Sequence, residues 1–155
     1  MHDSIRDFLV AAKKSTYAFQ GDDASVTPLL RGSRQLEFRD GSLLYRDVYF
    51  GTAFFVGLET VYLNEQPHWS MCYSGGVDQS RVVPDDIRNI YAFLREALRQ
   101  VSKEHIFRGP SEYIDGKYTY HNIVHGGFEE FHGCEYIRSG SDKVYTLQYS
   151  GGTLR

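Results

Sequence analysis

Residues 40–76 read DGSLLYRDVYFGTAFFVGLETVYLNEQPHWSMCYSGG, and residues 115–152 read DGKYTYHNIVHGGFEEFHGCEYIRSGSDKVYTLQYSGG. Asp40, Gly41, Tyr45 and Gly51 fall on Asp115, Gly116, Tyr120 and Gly126. After one inserted residue, Phe55, Gly57, Glu59, Trp69 and Tyr73 fall on Phe131, Gly133, Glu135, Tyr145 and Tyr149. Both stretches end in Tyr-Ser-Gly-Gly. Ordered self-similarity of this kind points to an internal repeat.

Within each stretch, alternation of period two marks strands. In the first, strands are expected at 34–39, 42–50, 53–63 and 68–73, with Asp40-Gly41 and Gly51-Thr52 as turns and Gly75-Gly76 ending the sheet. In the second, strands are expected at 112–114, 117–125, 128–137 and 143–149. Asp115-Gly116 and Gly126-Gly127 are the expected turns, because tight hairpins favour residues that tolerate positive φ.

Two helices complete the pattern. Ile5, Phe8, Leu9 and Ala12 form one apolar stripe, with Lys13-Lys14 complementing the dipole at its end. Ile87, Ile90, Tyr91, Leu94, Ala97, Leu98 and Val101 form another, opened by Pro84 with Asp85 and Asp86 and stopped by Arg108-Gly109-Pro110. Residues 19–33 read as a long polar loop. The expected fold class is α+β: a single domain of two helix-plus-four-stranded antiparallel meander modules, 4–76 and 85–152, related by a pseudo-twofold.

Composition narrows the function. The chain has 155 residues, a net charge of −3 and no basic stripe, so no nucleic-acid partner is expected. No apolar run approaches the ~20 residues of a membrane span, and the first residues lack a signal-peptide core. Cytoplasmic location follows as an expectation, and Cys72 and Cys134 read as reduced, half-buried core residues.

Phe8-Leu9, Ala12-Lys13-Lys14, Thr16-Tyr17-Ala18, Tyr45-Arg46-Asp47 with Tyr49 and Gly51, Arg108-Gly109-Pro110, Tyr118 to His121 and Gly151-Gly152 together resemble a bacterial family of unknown function. The resemblance runs almost end to end. It implies a domain found alone or behind a helix-turn-helix segment of a transcriptional regulator, and it carries no catalytic residues.

Three constellations can carry chemistry. A two-residue turn at Gly126-Gly127 would set His121 opposite His132, with Glu130 as third ligand of a divalent metal on one sheet face, against the plain reading of that face as solvated. Glu59 and Glu135, each in Gly-x-Glu, would line a cleft as facing carboxylates or make structural ion pairs with arginine. The strand aromatics, Trp69 and Tyr120 among them, suit an apolar pocket with a few donors. Arg46-Asp47 and His121-Asn122 are where the repeats differ most, and specificity is expected there.

No phosphate loop, dinucleotide fingerprint, zincin motif or nucleophile elbow is present. The reading is therefore a small-molecule-binding or sensing domain without catalysis or bound cofactor, with Tyr45, Arg46, Asp47, Glu59, Trp69, Tyr120, Asn122 and Glu135 as candidate ligand contacts. The alternatives are a metal-assisted hydrolase on the His121, Glu130 and His132 face, or a protein-interaction module. A homodimer through exposed strand edges is a further expectation.

Overall fold

The structure, a computed structural model, describes residues 2–16 and 25–155. Helix α1 (His2–Ser15) is followed by strands β1 (Ser25–Val26), β2 (Arg34–Asp40), β3 (Leu43–Gly51), β4 (Phe54–Leu63) and β5 (Gln66–Val77). Helix α2 (Pro84–Leu98) precedes β6 (Glu112–Asp115), β7 (Tyr118–Gly127), β8 (Glu130–Ser139) and β9 (Asp142–Thr153). Residues 17–24, which hold part of the expected 19–33 loop, lie outside the described residues.

The nine strands form one antiparallel sheet in the order β1-β2-β3-β4-β5-β9-β8-β7-β6. This corrects the expectation of two helix-plus-four-strand modules. Trp69 pairs with Thr153 and Val77 with Tyr145, so β5 and β9 join what would otherwise be separate meanders. The glycine pairs expected to end the strands lie inside this junction instead. A Cβ on Gly75 would meet the Thr146 carbonyl oxygen at 2.2 Å, and one on Gly151 would meet that of Ser70 at 2.1 Å. Absence of side chains there lets two backbones approach.

Both helices cover one face. Phe8 of α1 packs on Phe38 of β2, while Phe93 of α2 packs on Tyr118 of β7. The shared core includes Leu9, Val61, Trp69, Met71, Ile90, Leu94, Ile137 and Leu147. The outer face is open to solvent, with Phe54, Val56 and Leu58 of β4 about half exposed. Cys72 is exposed on that face and Cys134 only partly buried beside it, so neither is a core residue. Among the described residues, no helix is long and apolar enough to cross a membrane.

Turn chemistry shifts the expected hairpins. Asp40 pairs with Leu43, so Gly41 at φ 56° is the first residue of its turn rather than the second, and Gly116 behaves alike. Gly127 pairs with Glu130, which places the β7–β8 turn at Phe128-Glu129. Gly126 is used within the strand, at φ 89° with the Glu130 carbonyl where its Cβ would stand.

Candidate functional site

The helix-covered face of the sheet buries charges from β3, β4, β8 and the segment after α2 that such a core rarely tolerates. Asp47 is 3% exposed, Glu59 3%, Arg108 5% and Glu135 0%. Burial of this kind requires partners, and two clusters supply them.

The first cluster surrounds Glu135. Arg108 Nε donates to Glu135 Oε2 at 3.1 Å and its Nη2 to Oε1 at 2.6 Å, a bidentate pair. Tyr120 and Tyr145 donate their hydroxyls to the same carboxylate at 2.6 and 2.8 Å. Asn122 Nδ2 donates to the Gly109 carbonyl at 2.9 Å, and Tyr149 donates to Asn122 Oδ1 at 2.7 Å. Burial alone would lower the Arg108 pKa; the Glu135 carboxylate outweighs it and holds the guanidinium well above its usual range. Every charge here is matched, which is the arrangement of a structural network.

The second cluster surrounds Asp47 and Glu59, which are direct cross-strand partners on β3 and β4. Such partners have Cβ atoms about 5 Å apart. Lys13, from the core stripe of α1, puts Nζ 2.9 Å from Glu59 Oε2 and also donates to the Phe107 carbonyl. Tyr73 donates to Asp47 Oδ1 at 2.6 Å. Burial, then the negative charge of Glu59, pushes the Asp47 carboxyl up to about 7; the Tyr73 hydrogen bond and the Arg108 and Lys13 charges act the other way. Burial lowers the Lys13 ammonium despite Glu59, and burial with Glu59 and Asp47 raises the Tyr45 phenol.

The two clusters differ at one point that matters chemically. Asn122 stands opposite Glu135 as Asp47 stands opposite Glu59. The amide carries no charge, so the cluster around Glu135 closes. The carboxyl, when ionised, leaves the other with a negative charge in excess.

Asp47 borders a cavity of about 220 Å³ between α2 and strands β3 to β5. Tyr49, Phe55 and Tyr91 supply apolar walls, while Tyr73, Arg95 and Arg108 supply polar groups. Tyr91 is fixed by donating to the Ala53 carbonyl at 2.6 Å. Tyr45 and Glu59 instead border a separate void of about 20 Å³ with Lys13 and Arg108, room for roughly one water.

The other sequence candidates lie elsewhere. Trp69 is a core residue stacked near Phe107, Phe128 and Phe131. Arg46 is on the outer face, paired with Glu37 at 2.8 Å. Glu59 and Glu135 do not face one another, since β5 and β9 stand between their strands; each takes a cation of its own.

The expected metal ligands are not brought together. His121 pairs with Tyr136 and His132 with His125, because the turn is two residues further on than expected. His121 and His132 are thus four positions apart along β7, about 13 Å. His121 stacks on Tyr136, and Glu130 lies at the end of β8 opposite Gly127. Among the described residues, no group of three or more His, Cys, Asp or Glu is placed to hold a metal ion.

Sequence reasoning passed over Lys13, Arg95 and Arg108 as site residues, and placed Tyr73 only among the strand aromatics suited to a pocket. Lys13 had a signal, since it follows Ile5 and Leu9 at helical spacing and so falls on the buried stripe. Arg108 stood only in the Arg108-Gly109-Pro110 motif, which gave no partner, because residues 99–111 are irregular and their path is set by tertiary contacts.

Fold and site together define a single-sheet domain, covered by helices on one face, with an ionisable cavity beneath its second helix. A family model described as a domain of unknown function (DUF5680) matches residues 47–154, and the chain belongs to that family. The match includes Asp47, Tyr73, Arg95 and Arg108; Lys13 precedes it. No curated protein and no solved structure matches the chain.

Proposed function

We propose that the protein binds a small organic anion in the cavity between α2 and β3 to β5. The observation that carries this is Arg95. Arg95 borders the cavity and is half-buried, and among the described residues no acid or hydrogen-bond acceptor pairs with its side chain. Arg108 borders the same space, but Glu135 already neutralises it.

A carboxylate entering beside Arg95 gains a planar, charge-matched partner, while its apolar body lies against Tyr49, Phe55 and Tyr91. At about 220 Å³ the cavity is below the ~300 Å³ at which pockets for drug-sized ligands begin, so the ligand is a small metabolite. Binding without turnover is the function this supports.

The test is a thermal-shift series with organic acids of increasing apolar size, on the wild type and Arg95→Gln. A ligand of the native state raises the melting temperature with concentration. The expected result is a rise for the wild type that the variant loses. Absence of any rise across a broad set of organic acids would refute the reading.

A further inference from the structure

The acidic group among the described residues that border the cavity is a buried carboxyl with one of its two oxygens unpaired. Asp47 Oδ1 accepts from Tyr73 at 2.6 Å, and among the described residues Oδ2 has no partner. Asp47 is 3% exposed and borders the cavity. A carboxylate oxygen so placed, at the edge of a cavity, is open to a donor from a ligand.

The nature of that donor follows from the surrounding charge. Asp47 and Glu59 carry two negative charges when ionised, and Lys13 supplies one positive charge 2.9 Å from Glu59. Arg108 does not settle the balance, because it forms a bidentate pair with Glu135. Among the described residues Asp47, when ionised, has no ion-pair partner of its own, and a cation there is favoured over a neutral hydroxyl. Aromatic walls, Tyr91 and Tyr49 among them, favour a cation further. Arg95 borders the same cavity with the opposite sign.

We infer that the ligand is a zwitterion, with a cationic nitrogen donating to Asp47 Oδ2 and a carboxylate on Arg95, as in an amino acid with an apolar side chain. This rests on the anion-binding reading above and adds the second anchor. It gives the pocket a direction, because a molecule bearing only one of the two charges satisfies only one end.

Proton release separates the two readings. In the empty site Asp47 holds its proton up to about pH 7, under the influence of burial, of Glu59 on β4, Tyr73 on β5, Tyr45 on its own strand, Lys13 on α1 and Arg108 after α2. Among the described residues, Arg95 on α2 and Arg34 on β2 also border the cavity. A ligand ammonium stabilises the ionised carboxyl and expels that proton; an anion alone favours its uptake.

The experiment is calorimetric titration at pH 7 in two buffers of different ionisation enthalpy, on wild type, Asp47→Asn and Arg95→Gln. The probes are an apolar amino-acid panel headed by L-phenylalanine, with 3-phenylpropionate and phenethylamine as single-charge counterparts. The zwitterion is expected to bind at least about tenfold more tightly than either counterpart, with proton release. Asp47→Asn should abolish the release and bring affinity down to that of the acid. If 3-phenylpropionate binds as tightly as the amino acids and with proton uptake, the zwitterion is overturned while anion binding stands. If the amine alone binds, or if neither the amino acids nor the acid binds, both readings fall.

Discussion

The hydroxyl of Tyr73 reaches Asp47 by crossing strand β4, and it donates there at 2.6 Å. The crossing runs over Gly57, the register partner of Tyr73, where a Cβ would lie 2.2 Å from the ring carbon and the phenol oxygen. Tyr149 crosses Gly133 in the same manner, at 2.3 Å, to reach Asn122 at 2.7 Å. Each glycine is therefore a passage for a tyrosine.

Gly57→Ala should force Tyr73 off Asp47. Overpacking of this kind costs about 1–3 kcal/mol, measurable as a lower midpoint in urea unfolding. Gly133→Ala should cost a similar amount, because Tyr149 meets the same obstacle. Ligand affinity should fall in the first variant and hold in the second. Equal affinities would show that Tyr73 does not position Asp47.

Asp47 gives stability a pH dependence of definite sign. Its carboxyl titrates near 7 in the folded protein against an ordinary 3.8. The folded state thus binds more protons than the unfolded chain between those values, so this residue's contribution to stability falls as pH rises from about 4 to about 7. Asp47→Asn should flatten that slope and leave the variant more stable than wild type above pH 7. The amide can still accept from Tyr73, as Asn122 already does from Tyr149. Urea midpoints from pH 4 to 8 test this, and a slope unchanged in the variant would count against it.

Arg108 should be among the costliest positions to truncate. Arg108→Met leaves Glu135, fully buried, without its cation. Breaking such a pair from one side costs about 3–5 kcal/mol. Combining it with Glu135→Leu should recover part of the loss, since no charge is then stranded. A double variant as unstable as the sum of the singles would mean that the pair is not energetically coupled.

The sequence carried the elements well and their assembly poorly. Both helices and the eight long strands announce themselves through stripes such as Ile5-Phe8-Leu9-Ala12 and through alternation around Tyr45, Asp47 and Tyr49. Pairing of β5 with β9 is not a local property, so Gly75-Gly76 and Gly151-Gly152 looked like ends when they are junctions. The same limit applied to the site. Asp47 and Glu59 were singled out, but the residues that give Asp47 its chemistry come from α1, β5 and the segment after α2. Register decided the histidines: moving one turn from Gly126-Gly127 to Phe128-Glu129 separates His121 from His132.

Trp69, the sole tryptophan, should report folding directly. It is fully buried, with Phe131 and Phe128 rings within 6 Å of its own. Its emission should therefore be blue-shifted in the native state and move to the red in the same transition that circular dichroism detects. Separate midpoints would contradict a single cooperative core.

The junction of β5 with β9 has a consequence in time. Each neighbouring pair from β2 to β5, and from β6 to β9, is a hairpin whose strands meet across a short turn. Pairing Trp69 with Thr153 instead requires that the chain between them, helix α2 included, first be gathered in. Contacts so distant in sequence form slowly. The protein should therefore complete its sheet by zipping the centre last, and the middle of the molecule becomes the step that commits it to its final shape.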